Sequence, residues 1–301
     1  MKNILTIDLE DWYQLTYFQF TGNLLPPGDS IFRQLDCLLN LLNEYKTKAT
    51  FFVLGLVAED HPDLIKSIVA QGHEIASHGY AHITINRLSR NQFREDTKRA
   101  KGLLEGITGL PVYGYRAAEF SIRKQTLWAL RILADLEFVY DSSIFPIHHR
   151  RYGIADFYPK AMRYDLGSGS QIIEIPPATV SFGKLKLPVA GGGYFRLMPL
   201  WMIRRVFERL NGYQIPLMTY CHPYEFDSQH LNIFELLDPS DWKECVKGLR
   251  VNFQQNLRRQ TMTTKISGLL REFKFTTCQD FLEERNINES RNLFSKDGQR
   301  V

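Results

Sequence analysis

The sequence predicts an α/β fold built on a parallel sheet. Strand-like and helix-like segments alternate over the first two-thirds of the chain, and one strand with its helix takes roughly 25 to 35 residues. The strand-like segments are short apolar runs, as expected for strands covered by helices on both faces. The 301 residues are 44% hydrophobic and 23% charged, which is ordinary for a globular protein with ample core.

The elements follow one another in a regular order. Asp29 and Ser30 form a predicted N-terminal cap, and Pro62 and Gly72 are predicted to begin and end the next helix. The predicted strands of this first part span residues 3–9, 49–55, 74–77, 112–116 and 138–142. Further helices are predicted at 91–106, 124–136, 199–211 and 242–259, and further strands at 171–175, 184–189, 216–221 and near 275.

The number of strand–helix units favours a barrel over an open sheet. Residues 148–193 are rich in Gly, Pro, Ser and aromatic side chains, and we interpret them as a long insertion, or lid, over one end of the barrel. We therefore expect a single domain over residues 1–285. Residues 286–301 form a polar tail that we expect to fray.

Charge and cysteine content narrow the classes of function. The net charge of +4 is dispersed, which does not favour nucleic-acid binding. The four cysteines form no CxxC pair and indicate reduced thiols. No stretch approaches the roughly 18 apolar residues of a membrane span, and the N-terminus does not have the pattern of a signal peptide. The expected location is the cytoplasm.

Polar residues cluster where predicted strands end. In "EIASHGYAH", His78 and His82 are four residues apart, and on a helical turn both imidazoles would face one metal ion. Asp8 and Glu10 follow the first strand. The carboxyl ends of parallel strands are where sites form in such folds. Two histidines and one carboxylate leave a fourth position open, as in catalytic rather than structural zinc sites.

Three more strand ends carry polar residues, namely Arg116, Asp141 and His222. Each alone has an ordinary structural explanation: an arginine paired with a buried acid, a turn aspartate, and a core histidine. Five polar clusters at the same ends of successive strands are more simply explained by one shared site.

In this order, the segments "TIDLED", "SHGYAH", "YRAAEFS", "YDSS" and "YCHPYEFD" resemble the five motifs of the polysaccharide deacetylase family. This family is also called carbohydrate esterase family 4, or NodB-like, and includes chitin, chitooligosaccharide and peptidoglycan deacetylases. The resemblance covers about residues 3–225, and it implies a distorted (β/α) TIM-like barrel. "GGGYFRLMP" and the HPYEFD ending resemble a branch associated with bacterial exopolysaccharide biosynthesis.

The resemblance also implies a role for each matching residue. Asp8 matches the catalytic base, Arg116 the arginine that holds the base, His222 the catalytic acid, and Asp141 the carboxylate that supports the acid. The implied metal ligands are His78, His82 and a carboxylate of the first motif.

Three positions depart from the common pattern of the family. Leu9 stands where many members have a metal-binding aspartate, so Glu10 is the expected third ligand and Asp11 the alternative. Gly79 replaces a Ser or Thr, and Ala118 replaces a proline. These changes bear on metal affinity and on the backbone N–H, near Glu119 and Phe120, that would form an oxyanion hole.

The implied activity is metal-dependent hydrolysis of an N-acetyl group on a sugar of a bacterial polysaccharide, or of its cytoplasmic precursor, with release of acetate. Zinc is the first expectation for the metal, and nickel, cobalt and manganese suit similar ligands. The substrate would be an N-acetylated sugar, an oligosaccharide or a lipid-linked glycan. One alternative is a metal-independent hydrolase of a non-sugar C–N bond. Another is an inactive carbohydrate-binding protein, which the presence of both Asp8 and His222 disfavours.

Overall fold

The structure, a computed structural model, describes residues 1–14, 17–183, 185–285, 287 and 289–293. Its strands are β1 Lys2–Leu9, β2 Thr50–Val53, β3 Glu74–Ser77, β4 Gly114–Tyr115, β5 Tyr140–Asp141, β6 Met162–Asp165, β7 Gln171–Glu174, β8 Thr179–Phe182, β9 Leu185–Pro188, β10 Met218–Cys221, β11 Lys274–Thr276 and β12 Ser290–Asn292. Its helices are α1 Tyr17–Thr21, α2 Ser30–Glu44, α3 Gly55–Asp60, α4 Pro62–Ala70, α5 Arg90–Thr108, α6 Trp128–Asp135, α7 Gly192–Leu197, α8 Leu200–Gly212, α9 Trp242–Asn256, α10 Met262–Glu272 and α11 Cys278–Glu284.

One large sheet organises the chain. Its strand order is β10-β1-β2-β3-β4-β5-β7-β6-β12, and β11 pairs with the start of β1. Every neighbouring pair in it is parallel except β6 with β7. The short hairpin of β8 and β9 forms a separate sheet. The predicted α/β fold with a mostly parallel sheet is confirmed.

Contacts across the sheet show that it curls strongly. Arg116, just after β4, donates to Thr6 Oγ1 of β1 at 2.9 Å and contacts Met218 Sδ of β10 at 3.3 Å. β1 and β4 are separated by two strands in the sheet, so only a curved sheet brings these side chains together. Within the described ranges no strand ladder closes the curl into a complete barrel.

Backbone hydrogen bonds cross the remaining gap between β7 and β10. The N–H of Ala178 donates to Met218 O at 3.1 Å, and the N–H of Tyr220 donates to Ala190 O at 2.7 Å. Gly191 lies against Tyr220 with φ 137°, and a Cβ there would lie 1.9 Å from the Tyr220 carbonyl oxygen. Only glycine permits this approach, which accounts for the start of the "GGGYFRLMP" motif.

The predicted elements are present, with shorter bounds in several strands. β4 and β5 have two residues each where five were predicted. Ser89 caps α5 with a capping box: its Oγ accepts from Gln92 N, and Gln92 Oε1 accepts from Ser89 N. The helices α1, α3, α7 and α10 and the strands β6, β8 and β12 were not predicted.

The segment 148–193 is only partly what the sequence predicted. β6 and β7 belong to the main sheet, where β7 pairs with β5, so the prediction of an insertion over the barrel end is wrong for this part. Arg151 and Tyr152, in contrast, lie over the carboxyl ends of the strands and line a cavity there.

The chain after residue 285 contributes to the sheet as well. Ser290–Asn292 forms β12, parallel to β6, so the predicted polar tail is ordered over these residues. Its last part, 294–301, lies outside the described residues. No helix in the described ranges has the length and apolar character needed to cross a membrane. Cys221 and Cys278 are buried, and none of the four cysteines is in a disulfide.

Candidate active site

The carboxyl ends of β1 and β3 bring two histidines and a carboxylate together. Glu10 directly follows β1, and His78 directly follows β3. One ligand atom each of Glu10, His78 and His82 lie within 4.8 Å of one another, and all three residues are buried. His82 Nε2 is 3.0 Å from Glu10 Oε2. These are the three residues that sequence analysis selected as metal ligands.

The two histidines do not lie on a helical turn, so that detail of the prediction is wrong. Residues 78–84 form an irregular loop in which Gly79 (φ 75°) and His82 (φ 54°) are left-handed. The N–H of Tyr80 donates to Asp96 Oδ2 of α5 at 2.9 Å, which fixes the loop. Gly79 is explained by this conformation, because a Ser or Thr with that φ would be strained.

Each histidine has one ring nitrogen tied to the backbone. His78 Nδ1 lies 2.8 Å from the carbonyl oxygen of Arg116, and His82 hydrogen-bonds the backbone of Gln14. A carbonyl can only accept, so these nitrogens carry the proton and the other nitrogens present lone pairs. This is the usual arrangement of metal-binding histidines.

The choice between Glu10 and Asp11 follows from their contacts. Asp11 accepts hydrogen bonds from Trp12 N at 2.8 Å, Gly28 N at 2.8 Å and Ser30 Oγ at 3.1 Å. Its carboxylate is therefore used to fix the loop before α2. Both carboxylate oxygens of Glu10 are buried and accept no hydrogen bond in the described part of the chain, so Glu10 is the carboxylate free to bind a cation.

The electrostatics of the cluster favour the binding of a cation. Burial, followed by the neighbouring carboxylates of Asp8 and Glu119, raises the pKa of Glu10 well above its usual range. Burial lowers the pKa of His78 and, more strongly, of His82. Both imidazoles are therefore neutral at pH 7, which is the form that binds a metal.

Asp8 is held by a fully buried arginine. Arg116 Nη1 donates to Asp8 Oδ1 at 2.6 Å, while Nη2 and Nε donate to Ser142 Oγ at 2.9 Å and Ser142 O at 3.2 Å. Burial acts to raise the pKa of Asp8, but the charge of Arg116 outweighs it with help from His78 and His222, and the pKa is lowered. Asp8 is thus ionised and oriented.

Asp141 lies elsewhere than the resemblance implies. Its carboxylate accepts from Ser143 Oγ at 2.5 Å and from a carboxyl hydrogen of Glu174. Ser143 Oγ in turn accepts from Ala117 N at 2.8 Å. Asp141 therefore braces the loop that follows Arg116, and its hydrogen bonds do not reach His222.

Glu225 is the carboxylate beside His222. Glu225 Oε2 is 3.6 Å from His222 Nδ1 and accepts from His222 N at 3.1 Å, and Arg196 Nε is 3.3 Å from Glu225 Oε1. Burial would raise the pKa of Glu225, but His222 and Arg196 lower it. Sequence analysis missed this residue, although its spacing of three from His222 in "HPYEFD" could have indicated it. The other ring nitrogen, His222 Nε2, is 3.5 Å from Glu10 Oε1.

A cavity of about 180 Å³ lies above these groups. Its lining joins the cluster to Glu119 and Phe120 of the 117–120 loop, to Arg151 and Tyr152 of the 148–193 segment, and to Tyr220 of β10. Glu119 and Phe120 are both left-handed (φ 53°). Backbone strain of this kind concentrates at functional sites. Tyr152 and Tyr220 were not singled out from the sequence, because nothing in their local pattern separates them from core tyrosines.

The fold and the site define an α/β protein with an enzyme-like polar centre at the carboxyl ends of parallel strands. Comparison with known families gives the particular class. A polysaccharide deacetylase model matches residues 34–138, and a domain of unknown function, DUF3473, matches residues 142–283. The chain contains a polysaccharide deacetylase domain of the NodB-like type.

Curated relatives match short stretches of the chain. A chitooligosaccharide deacetylase from Sinorhizobium fredii is 40% identical over 63 residues, 21% of this chain and 29% of the relative. A peptidoglycan-N-acetylglucosamine deacetylase from Bacillus cereus is 32% identical over 72 residues, 24% of this chain and 26% of the relative. A Bradyrhizobium chitooligosaccharide deacetylase is 27% identical over 103 residues, 34% and 47% of the two chains. The matches thus span between a quarter and a half of the relatives' length.

Solved structures agree on the fold over nearly the whole chain. A protein from Mycobacterium smegmatis assigned to the polysaccharide deacetylases superimposes with a TM-score of 0.57 at 18% identity, covering 94% of this chain and 90% of that one. The PuuE allantoinase superimposes with a TM-score of 0.56 at 16% identity, covering 95% and 90%.

Proposed function

We propose that this protein is a metal-dependent hydrolase that removes the N-acetyl group from a sugar of a bacterial polysaccharide or of its precursor, releasing acetate. One observation carries the proposal: Asp8, His222 and the Glu10–His78–His82 cluster line a single cavity. A base, an acid and a candidate metal site are what hydrolysis of an unreactive amide requires. The names of the curated relatives support the same reaction.

The three candidate ligands fit a divalent ion. The two unpartnered oxygens of Glu10 and the free nitrogens of two neutral imidazoles are a donor set that zinc prefers, with nickel, cobalt and manganese as alternatives. An ion bound there would polarise the acetyl carbonyl and lower the pKa of a bound water.

Protein groups supply the proton transfers. Asp8, ionised and fixed by Arg116, accepts the proton of the attacking water. The N–H of Phe120 donates to Ala117 O, which leaves the N–H of Glu119 as the candidate donor to the developing oxyanion. His222 gives a proton to the departing sugar amine as the C–N bond breaks, and Glu225 orients its ring.

The cavity suits one sugar unit of a longer substrate. Its volume of about 180 Å³ is below the roughly 300–1,000 Å³ of pockets for drug-sized ligands. Phe120, Tyr152 and Tyr220 offer aromatic surface for a sugar ring, and Arg151 at the rim suits an acidic or phosphate group on the substrate. An oligosaccharide or lipid-linked glycan of exopolysaccharide synthesis, met at the cytoplasmic side of the membrane, is the substrate class that we favour.

Metal analysis and acetate release test the proposal together. Protein purified without chelator should contain about one divalent ion per chain and release acetate from an N-acetylated sugar-nucleotide, oligosaccharide or lipid-linked sugar. Asp8→Asn should lower turnover by about 10²–10⁴-fold while the metal content stays unchanged.

Two outcomes would favour the rival functions. Full activity of a metal-free, chelator-treated protein on a non-sugar amide would indicate a metal-independent C–N hydrolase. Tight glycan binding without acetate release, unchanged in Asp8→Asn, would indicate a carbohydrate-binding protein.

A further inference from the structure

Helix α9 exposes a continuous apolar stripe. Trp242, Val246, Leu249 and Phe253 are 68%, 56%, 63% and 66% exposed, and their spacing of four, three and four residues places them within an arc of about 60° on the helix. Four large apolar side chains aligned on one exposed face are unusual for a soluble surface and mark an interaction site.

The opposite face already anchors the helix. From this face Gln255 Nε2 donates to Trp12 O at 2.6 Å. Asn256 Nδ2, on a flank of the stripe, donates to Leu231 O at 2.8 Å. Gly248 packs so closely that a Cβ would lie 2.6 Å from Leu237 Cδ1. Helix α9 therefore packs on the described fold through its other face, and the stripe remains exposed.

The two flanks of the stripe differ in charge. On one flank, Lys243, Lys247 and Arg250 are exposed and lie within an arc of about 60°. On the other flank lie Cys245, Asn252 and Asn256, which carry no charge. An apolar stripe of Trp, Leu and Phe with a cationic flank is typical of helices that lie in the headgroup region of anionic bilayers.

We propose that α9 docks this protein on the surface of an anionic lipid bilayer, with the stripe buried among the lipids and the three cations on the headgroups. A second copy of the chain is a poorer occupant. It would offer the lysines no acidic flank, and one 15-residue helix falls short of the roughly 1,200 Å² that stable interfaces bury.

Docking through α9 would also position the active site relative to the membrane surface. Trp12, whose carbonyl holds α9, follows Glu10 by two residues, and Tyr224 beside His222 packs in the same cluster as Trp12. Helix α9 and the cavity are thus neighbours at one end of the sheet. If the proposed function holds, the cavity would lie near a membrane surface that presents lipid-linked sugars; the docking itself does not depend on that activity.

Vesicle flotation tests the docking with the full chain. Wild type should float with vesicles of phosphatidylcholine containing about 30% phosphatidylglycerol and bind pure phosphatidylcholine at least about tenfold more weakly. The pair Trp242→Ala and Phe253→Ala should weaken binding at least about tenfold. The pair Lys243→Gln and Lys247→Gln should weaken it about 30-fold, since each surface cation contributes about 1 kcal/mol.

Controls separate docking from folding and from self-association. Tyr213→Ala removes an aromatic side chain that is equally exposed at 68% but lies at the end of α8, and it should leave binding unchanged. All variants should keep the wild-type melting temperature and the wild-type activity on a soluble substrate. Absence of wild-type flotation would overturn the proposal. So would a dimer in sedimentation that the Trp242→Ala and Phe253→Ala pair dissociates, because the stripe would then bind a second copy.

Discussion

Two clusters of buried carboxyl groups lie at the strand ends, and their negative charge is compensated in different ways. Asp141 and Glu174, at the ends of β5 and β7, share a hydrogen and accept hydrogen bonds from Ser143 and from Ile144 N. Burial, then Asp141, raises the pKa of Glu174 well above its usual range, so it is protonated and one negative charge is removed. The shared hydrogen thus satisfies the charge of this cluster, although Glu174 Oε2 accepts no hydrogen bond among the described residues.

The other cluster, around Asp8 and Glu10, is only half satisfied. Arg116 neutralises Asp8, whereas neither carboxylate oxygen of Glu10 accepts a hydrogen bond among the described residues, and its neighbours are the His82 and His222 rings. A buried polar group without a partner costs free energy, so its retention indicates a function. The pair that shares a hydrogen thus stabilises the fold, and the cluster with the unpartnered Glu10 is the proposed binding site.

The largest expected effect comes from removing a candidate ligand. His78→Ala should abolish bound metal and lower acetate release by about 10³-fold or more, since both the ion and its water would be lost. Metal analysis of the purified variant and an acetate assay measure the two effects. His230→Ala, which removes an exposed histidine, is the control and should retain both. Normal metal content in His78→Ala would contradict the assigned centre.

Loss of Arg116 should strongly lower the free energy of unfolding. Arg116→Met leaves Asp8 buried and unpaired, which typically costs about 3–5 kcal/mol of unfolding free energy. Urea denaturation of the metal-free protein measures it. Arg94→Met breaks an exposed pair with Asp135 and should cost no more than about 1 kcal/mol. Equal losses in the two variants would mean that the Arg116 network is not the anchor of the site.

Many strands, helix caps and site residues could be predicted from the sequence because their signals are local. Parallel strands buried on both faces give uninterrupted apolar runs such as residues 50–53, and helix caps such as Ser89 are local signals. Asp8, His78 and His222 could be selected because sites in parallel sheets form at strand ends. These features depend only on short stretches of chain.

Other features depend on contacts between distant segments. The contacts of Asp141 could not be predicted because its partner Glu174 lies 33 residues away on β7, in a segment interpreted as an insertion. Asp11 and Glu10 could not be separated until Gly28 and Ser30 were seen to bind Asp11. Which carboxylate is free is a property of the folded chain.

A pair of variants distinguishes the two carboxylates that compete for the role of supporting His222. Glu225→Gln should lower kcat by about 10–100-fold, the usual effect of losing a supporting hydrogen-bond partner, with little change in KM. Asp141→Asn should mainly lower the melting temperature, because Asp141 braces the loop through Ser143 and Ala117. Steady-state kinetics and thermal melts of both variants measure this. The reverse pattern would restore the role that the family resemblance implies for Asp141.

The smallest effect should be a pH dependence of stability from Glu174. Its folded-state pKa is raised, chiefly by burial, so the stability gained from its bound proton is full below the unfolded pKa of about 4.3 and is lost as pH rises through the folded value. Glu174→Gln cannot ionise and keeps a donor for Asp141. Relative to wild type, it should therefore gain stability with rising pH, by at most about 1.4 kcal/mol per pH unit. Urea denaturation at pH 5, 7 and 9 measures the difference. Parallel curves for the two proteins would mean that Glu174 is not the proton carrier, and the contrast between the satisfied and unsatisfied clusters would then fail.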